Sequence, residues 1–399
     1  LVGSEMCIRD RLNMKLNHRY LLTPGPTPVP QPILQAMQQP MIGHRTAEFE
    51  TLADEASRAL MPIFGSEHPV LILTSSGTSV LEAAMLNTVE AEDHFVVVVS
   101  GAFGYRFKQI AETYYKHAHI YDVPWGEAVD VEALIAFIKS LNVPIKAVFC
   151  QYCETSTAVL HPVQQLGHAL HQYDANIYFI VDGVSSIGAV DVNMSRDDID
   201  VLVSGSQKAL MLPPGLAFVA YNDRALKRFE SIQTPSFYLN LNRYITALND
   251  HSTPFTPNIS LFQGILAYAS LIKEEGFTEV IKRHYLVRDC LRQALIALDL
   301  ELLVVEEDAS PTVTAFKPKD AEELSTIKSE LDSRFNIVIA GGQGQLKGEI
   351  LRLGHLGQVT PFDILQAVAA LEIILTDHRQ NNYIGKGTTA FMEVLSQHV

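Results

Sequence analysis

The sequence predicts an α/β fold, with a mostly parallel central sheet followed by a smaller α/β domain at the C-terminus. Three observations carry this. Short apolar runs recur between residues 70 and 221, continuous rather than alternating, as in strands buried on both faces of a parallel sheet. Helical patterns fill several of the gaps, and strand alternating with helix marks an α/β layer structure. After Tyr221 the texture changes: strand signals fade and prolines gather.

The runs at 70–74, 95–99, 147–152, 177–181, 201–204 and 216–221 are the expected strands of the central sheet, with helices over 131–140 and 163–172 between them. Residues 222–260 hold Pro235, Pro254 and Pro257 and read as connecting structure, after which a helix is expected over about 260–276. A second unit follows, with helix positions at 285–298, strand-like runs at 312–316 and 337–339, and a final amphipathic helix near 362–375. This places a domain boundary near residue 275, between a large domain over 14–274 and a small one over 275–399. Residues 1–13 (LVGSEMCIRDRLN) lack the basic n-region and apolar stretch of a signal peptide. They read as an adapter-like, non-native leader, with Met14 as the expected start.

At 399 residues, 47% apolar and 19% charged, the chain can bury a sizeable core. Thirty Lys plus Arg against 45 Asp plus Glu leave a net charge of −15, which argues against a nucleic-acid or anionic-membrane binder. The longest apolar runs have strand length, far short of the roughly 20 residues that span a bilayer. Four cysteines in so long a chain make no disulfide framework, so a reducing compartment, the cytoplasm, is expected.

The stretch from Asp200 to Gly215 carries the most chemistry. Lys208 stands just past an apolar strand, after Ser204, Gly205 and Ser206 and before Pro213, Pro214 and Gly215. A partly buried lysine there has its pKa lowered by desolvation, which supplies the neutral amine that Schiff-base chemistry needs. Taken alone, a lysine here reads as a solvated loop residue. A second charged strand end changes that: the run 177–181 leads straight into Asp182. A carboxylate emerging from a buried strand can face a pyridinium nitrogen and keep it protonated; on its own, Asp182 is equally a turn residue or a helix N-cap. A third strand, 70–74, leads into Ser75-Ser76-Gly77-Thr78, with Ser79 and Glu82 at capping-box spacing in the helix that follows. Such a turn suits a phosphate dianion, and is also what an ordinary capped turn looks like.

Six motifs in order, beginning with Pro24-Gly25-Pro26 and Ser76-Gly77-Thr78, then combine: Gly101-Ala102-Phe103-Gly104-Tyr105-Arg106, Glu154-Thr155-Ser156-Thr157, Val181-Asp182 with Ser204-Gly205-Ser206-Gln207-Lys208, and Leu351-Arg352-Leu353-Gly354. From about Leu21 to the C-terminal helix, the chain resembles class V pyridoxal-phosphate aminotransferases, nearest to the alanine-glyoxylate and serine-pyruvate branch. The resemblance implies a fold-type-I transferase with pyridoxal 5'-phosphate as cofactor. It implies that Lys208 is the catalytic lysine that holds the cofactor, that Asp182 pairs with the ring nitrogen, and that Ser76, Gly77, Thr78 and Gln207 hold the phosphate. Phe103 would stack on the ring, where several relatives carry tryptophan, and Ser156 would bond the phenolic oxygen or sit near substrate. Arg352 would clamp the substrate α-carboxylate through a planar two-bond fork, and Gly25 would let backbone approach the substrate. A homodimer with shared active sites is implied, with Thr256, and Thr253 behind it, reaching the partner's phosphate. His44 and Arg45 match a family motif without a settled role. The expected substrates are a small amino acid, alanine or serine, and a small 2-oxo acid, glyoxylate or pyruvate. A 2-aminoethylphosphonate transaminase and a cysteine desulfurase are the rivals within the cofactor class, and an NAD oxidoreductase the rival outside it.

Other signals are set aside. Cys150 and Cys153 form a CxxC with neither a second ligand pair nor a helix N-terminus, and read as incidental. Gly341-Gly342-Gln343-Gly344 lacks the strand and helix context of a nucleotide loop, and no Gly-x-Ser-x-Gly elbow follows a strand. The histidines show no paired metal-ligand spacing, so no metal is expected, and the segment 117–119 reads as a solvated loop.

Overall fold

The computed structural model describes residues 19–398; the expected leader and start at Met14 lie outside the described residues. The central sheet has seven strands in the spatial order Leu71–Leu73, Ala217–Tyr221, Val201–Gly205, Tyr178–Asp182, Ile145–Gln151, His94–Val99 and Ala118–Asp122. All of its pairings are parallel except the two made by Ala217–Tyr221, which runs antiparallel to both neighbours. Each strand alternates between two apolar cores. Val148 and Cys150 of one strand join the core on one face, while Ala147 and Phe149 join the core beneath the helices Gly77–Leu86 and Ala102–Tyr114 on the other. Burial on both faces is why the sequence shows continuous apolar runs.

Chain order reverses across the sheet beside His94–Val99, whose successor strand Ala118–Asp122 lies on one side and Ile145–Gln151 on the other. Crevices at such reversals, beyond the carboxyl ends of parallel strands, are where α/β sheets bind ligands. The C-terminal layer is a four-stranded antiparallel sheet in the order Glu301–Leu302, Val313–Lys317, Leu351–Gly354 and Ala340–Gly341. The helices Phe277–Ala297, Ala321–Phe335, Pro361–Arg379 and Lys386–Leu395 bury their apolar faces in its core, which also takes in Leu22. Pro361–Arg379 starts on a capping box: Thr360 and Asp363 satisfy each other's backbone N–H, with proline at the first helical position.

The structure corrects several expectations. The segment at 117–119 is no solvated loop: Ala118–Asp122 is the edge strand of the central sheet, and His119 stacks on His94 and bonds its Nδ1 at 2.9 Å. Ser79 and Glu82 form no capping box, because the helix already begins at Gly77 with Ser76 at the N-cap; Glu82 instead accepts from the Tyr114 hydroxyl at 2.6 Å. The run at 337–339 is split, Ile337–Val338 pairing in parallel with Tyr20–Leu21 near the start of the described chain. The 222–260 connection contains two helices, Asp223–Ser231 and Leu241–Asn249.

Candidate active site

Charged side chains that follow buried strands meet at one end of the sheet. Asp182 ends Tyr178–Asp182 and is 4% exposed, its Oδ1 accepting from Val184 N–H at 2.9 Å. Burial pushes its carboxyl up to about 7; the Val184 N–H, Lys208 and Arg106 pull the other way, while Glu154 adds to the rise. A carboxyl poised so close to neutrality is readily ionised by a cation placed against it.

Lys208 follows the strand Val201–Gly205 and is also buried. Burial pulls its ammonium down to about 8, with Arg352 and Arg106 acting in the same direction and Asp182 opposing. Its Nζ donates to the Pro24 carbonyl. Thr27 fixes the same loop to the lysine's backbone, its Oγ1 donating to the Lys208 carbonyl at 2.9 Å. Gly25 has φ +104°, and a Cβ there would lie 2.5 Å from Lys208 Cδ and 3.0 Å from Nζ. Only glycine both adopts that backbone and lets the loop lie along the lysine.

The helix Gly77–Leu86 presents an N-terminus that no side chain caps, Ser76 being extended and its hydroxyl making no capping bond. Gln207 reaches this turn: a Cβ on Gly205 would meet Gln207 Oε1 at 3.0 Å and Gly77 Cα at 3.6 Å. Arg106 donates from Nη1 to Thr78 Oγ1 at 3.2 Å, and its guanidinium lies 4.9 Å from the centre of the Phe103 ring. An uncapped helix N-terminus with a hydroxyl, an amide and a guanidinium around it fits a phosphate dianion. Phe103 is half-buried in the first turn of Ala102–Tyr114, where an aromatic face can cover a ring.

Two residues that stand inside the quoted motifs, Glu154 and Arg106, carried no role in the sequence and gain one from the geometry. Glu154 is fully buried and gathers the backbone N–H groups of Phe103 (3.0 Å), Gly104 (2.9 Å) and Ser156 (3.1 Å) together with the Ser156 hydroxyl (2.6 Å). It anchors the helix that carries Phe103. Its signal was the one that exposed Asp182, an acidic residue just past a buried strand. Arg106 was the other, a cation one turn beyond Phe103. Ser156, expected at the phenolic oxygen, is engaged within the protein: besides its bond to Glu154, its Oγ accepts from Ala102 N–H at 2.9 Å.

Arg352 sits in the strand Leu351–Gly354, 4% exposed, in register between Ala315 and Ala340. Its Nε and Nη2 donate to the Gly341 carbonyl at 3.0 and 2.7 Å, and its Nη1 donates to the Thr155 carbonyl at 2.8 Å. A guanidinium has five N–H groups, so one on Nη1 and one on Nη2 remain for a further acceptor. Burial pulls its pKa down, with Glu154 opposing.

The remaining expectations lie at the rim. Thr256 is exposed, whereas Thr253 is buried and its hydroxyl donates to the Phe255 carbonyl at 2.8 Å. Arg45 pins that loop, its Nη1 reaching Ser252 Oγ at 2.9 Å and the Thr253 carbonyl at 2.7 Å, while His44 is half-buried beside it in sequence. Cys150, Cys153 and Cys290 are buried free thiols whose pKa burial raises, and Cys290 lies within the helix Phe277–Ala297. Among the described residues no group of three or more His, Cys, Asp or Glu side chains is placed to hold a metal ion.

Comparison with known proteins agrees with this arrangement. Residues 19–350 match the family model for class V aminotransferases. A Synechococcus sp. (strain PCC 6716) protein named soluble hydrogenase, small subunit, is 36% identical over 94% of this chain and 98% of its own. The serine–glyoxylate aminotransferase of Arabidopsis thaliana is 30% identical over 95% of this chain and 96% of its own. The crystal structure of an alanine–glyoxylate aminotransferase from Nostoc sp. superposes with a TM-score of 0.84 at 28% identity, covering 90% of this chain and 95% of that one. A buried lysine, a strand-end carboxylate and an uncapped helix N-terminus are what a pyridoxal-phosphate enzyme requires, and with the family model spanning most of its length this chain belongs to the class V aminotransferases.

Proposed function

We propose that this enzyme moves the amino group of alanine or serine to glyoxylate or pyruvate. The observation that carries the reading is Arg352: a buried guanidinium whose hydrogen bonds among the described residues all go to carbonyl oxygens, leaving two N–H groups unspent there, and close enough for its charge to depress Lys208. An α-carboxylate completes that fork in two parallel charge-assisted bonds. Bound pyridoxal 5'-phosphate supplies the carbonyl that carries nitrogen between substrates and a ring that draws electrons from Cα.

The chain's own residues do the rest. Arg352 fixes the substrate carboxylate and thereby the direction of the Cα–H bond. Lys208, whose neutral amine burial makes accessible by lowering its pKa to about 8, takes the Cα proton and returns it, and Gly25 leaves the path along the lysine open. Asp182 holds the ring-nitrogen proton in place. The N-terminus at Gly77, with Ser76, Thr78 and Gln207, holds the phosphate, Phe103 covers the ring, and Ser156 with Glu154 keeps the Phe103 turn rigid. In this division of labour the large domain, expected over 14–274, seats the cofactor and the small domain, expected over 275–399, carries Arg352, with Tyr20–Leu21 and Leu22 packed into the small one.

The active unit in this reading is a cytoplasmic homodimer, with Thr256 reaching the partner's phosphate site. Its support is an exposed aromatic patch beside the site, where Phe237 is 65% exposed and Tyr238 stacks on Phe255 just before Thr256. No described helix is long and apolar enough to cross a membrane, and the three described cysteines are free.

A panel of amino donors against glyoxylate and pyruvate tests the substrate. The highest kcat/KM is expected for alanine or serine; preference for an aminophosphonate, or sulfur release from cysteine, contradicts the reading. Light scattering at micromolar concentration should give the mass of two chains, and a fully active monomer would contradict the shared site.

A further inference from the structure

Gln151 ends the strand Ile145–Gln151 and is wholly buried, yet among the described residues neither its Oε1 nor its Nε2 has a hydrogen-bond partner. A glutamine amide brings two donors and an acceptor, and leaving them unmet in the interior costs stability that an apolar side chain would not. Phe149, two residues earlier on the same face of the same strand, is buried in the apolar core, so that face otherwise carries apolar side chains.

What sets Gln151 apart is its neighbour. It pairs in register with Asp182 on the adjacent strand. Ala147 and Phe149 on its own strand, and Ile180 on the Asp182 strand, all belong to the core beneath the helices Gly77–Leu86 and Ala102–Tyr114. By alternation Gln151 and Asp182 project from that same face. The amide also lies under the first turn of the helix bearing Phe103: a Cβ on Gly104 would stand 2.9 Å from Gln151 Oε1. Asp182 for its part has one N–H donor, from Val184.

We propose that Gln151 is a positioning residue for Asp182: once the cofactor is seated, its amide N–H donates to the Asp182 carboxylate, directly or through one ordered water, and holds that carboxylate ionised and aimed at the ring nitrogen. This rests on the reading that pyridoxal 5'-phosphate binds here with its ring nitrogen at Asp182. Strands lie about 4.8 Å apart, a gap that the two methylenes of glutamine can bridge. The need is electrostatic. Burial raises the Asp182 carboxyl and Glu154 raises it further, while Lys208 and Arg106 are the cations that oppose the rise; the Cys150 thiol on the neighbouring strand is kept neutral by its own burial. A second N–H donor stabilises the charged form against that burial.

The test compares wild type with Gln151→Met, which keeps the shape and removes the amide, and with Gln151→Glu, which sets a second carboxyl beside Asp182. Three quantities are read: the melting temperature of each apoprotein, the Kd for pyridoxal 5'-phosphate from its visible absorption, and the pH at which that absorption is lost on the acid side. For Gln151→Met the apoprotein should melt at or above the wild-type temperature, because an unmet amide is gone. Its Kd should rise about tenfold or more, the effect of losing a hydrogen bond to a charged group. The acid limb should move to higher pH, since Asp182 protonates more easily; Gln151→Glu should move it further. A Gln151→Met apoprotein that melts well below wild type or fails to fold, or one with wild-type Kd and acid limb, overturns the proposal. Wild-type protein that does not take up the cofactor would instead sink the underlying reading, whatever the variants do.

Discussion

Replacing Lys208 by alanine is expected to lower kcat by about 10⁴-fold or more, the upper end of what a positioned acid–base group contributes, because the same side chain also anchors the cofactor. The loss should come without loss of fold. A buried lysine costs desolvation, so its removal does not weaken the core around it. The spectroscopic counterpart is the visible absorption that pyridoxal 5'-phosphate gains on joining Lys208: the variant should lack it, and borohydride should fix no cofactor to the chain. The wild-type pH dependence follows from the same site. Burial brings Lys208 down to about 8, so the neutral amine grows as pH rises through that value; Asp182, up to about 7, is protonated below it. Cofactor capture by the wild type should therefore increase from about pH 6 to about pH 8. Retention of the fixed cofactor in Lys208→Ala would reassign the lysine.

Arg352→Ala should lower kcat/KM for amino and oxo acids alike by about 10²–10³-fold, as expected for two charge-assisted bonds lost in a buried site. Kd for the cofactor should stay within about threefold of wild type. Lysine should restore little, since an ammonium cannot serve the Gly341 and Thr155 carbonyls and also offer a planar fork. Cofactor loss as large as substrate loss would mean that Arg352 acts by tying Leu351–Gly354 to the Thr155 turn instead of by binding substrate.

How much of this was legible in the sequence depended on whether the signal was local. The six strands read as apolar runs were legible because both faces of each are buried. Ala118–Asp122 was not, because an edge strand is half-exposed, and its histidine and tyrosine interrupt any apolar run. The capping box at Ser79 and Glu82 was a true spacing in the wrong place, two residues inside a helix that starts at Gly77, one short turn after the strand Leu71–Leu73. Asp182 and Lys208 stood out as charges at the ends of buried strands, and Glu154 obeys the same rule. The unspent donors of Arg352 and the unpartnered amide of Gln151 leave no trace in sequence, since both are defined by what surrounds them in three dimensions.

The central claim, amino transfer through Lys208, is tested most directly by a single half-reaction. Protein loaded with pyridoxal 5'-phosphate is mixed with alanine or serine in the absence of any oxo acid, and its absorption is followed. The lysine-bound absorption should disappear with release of one equivalent of 2-oxo acid per site, and glyoxylate or pyruvate should bring it back. An absorption that does not change with any amino acid, or oxo acid formed without retention of nitrogen on the protein, would contradict the account.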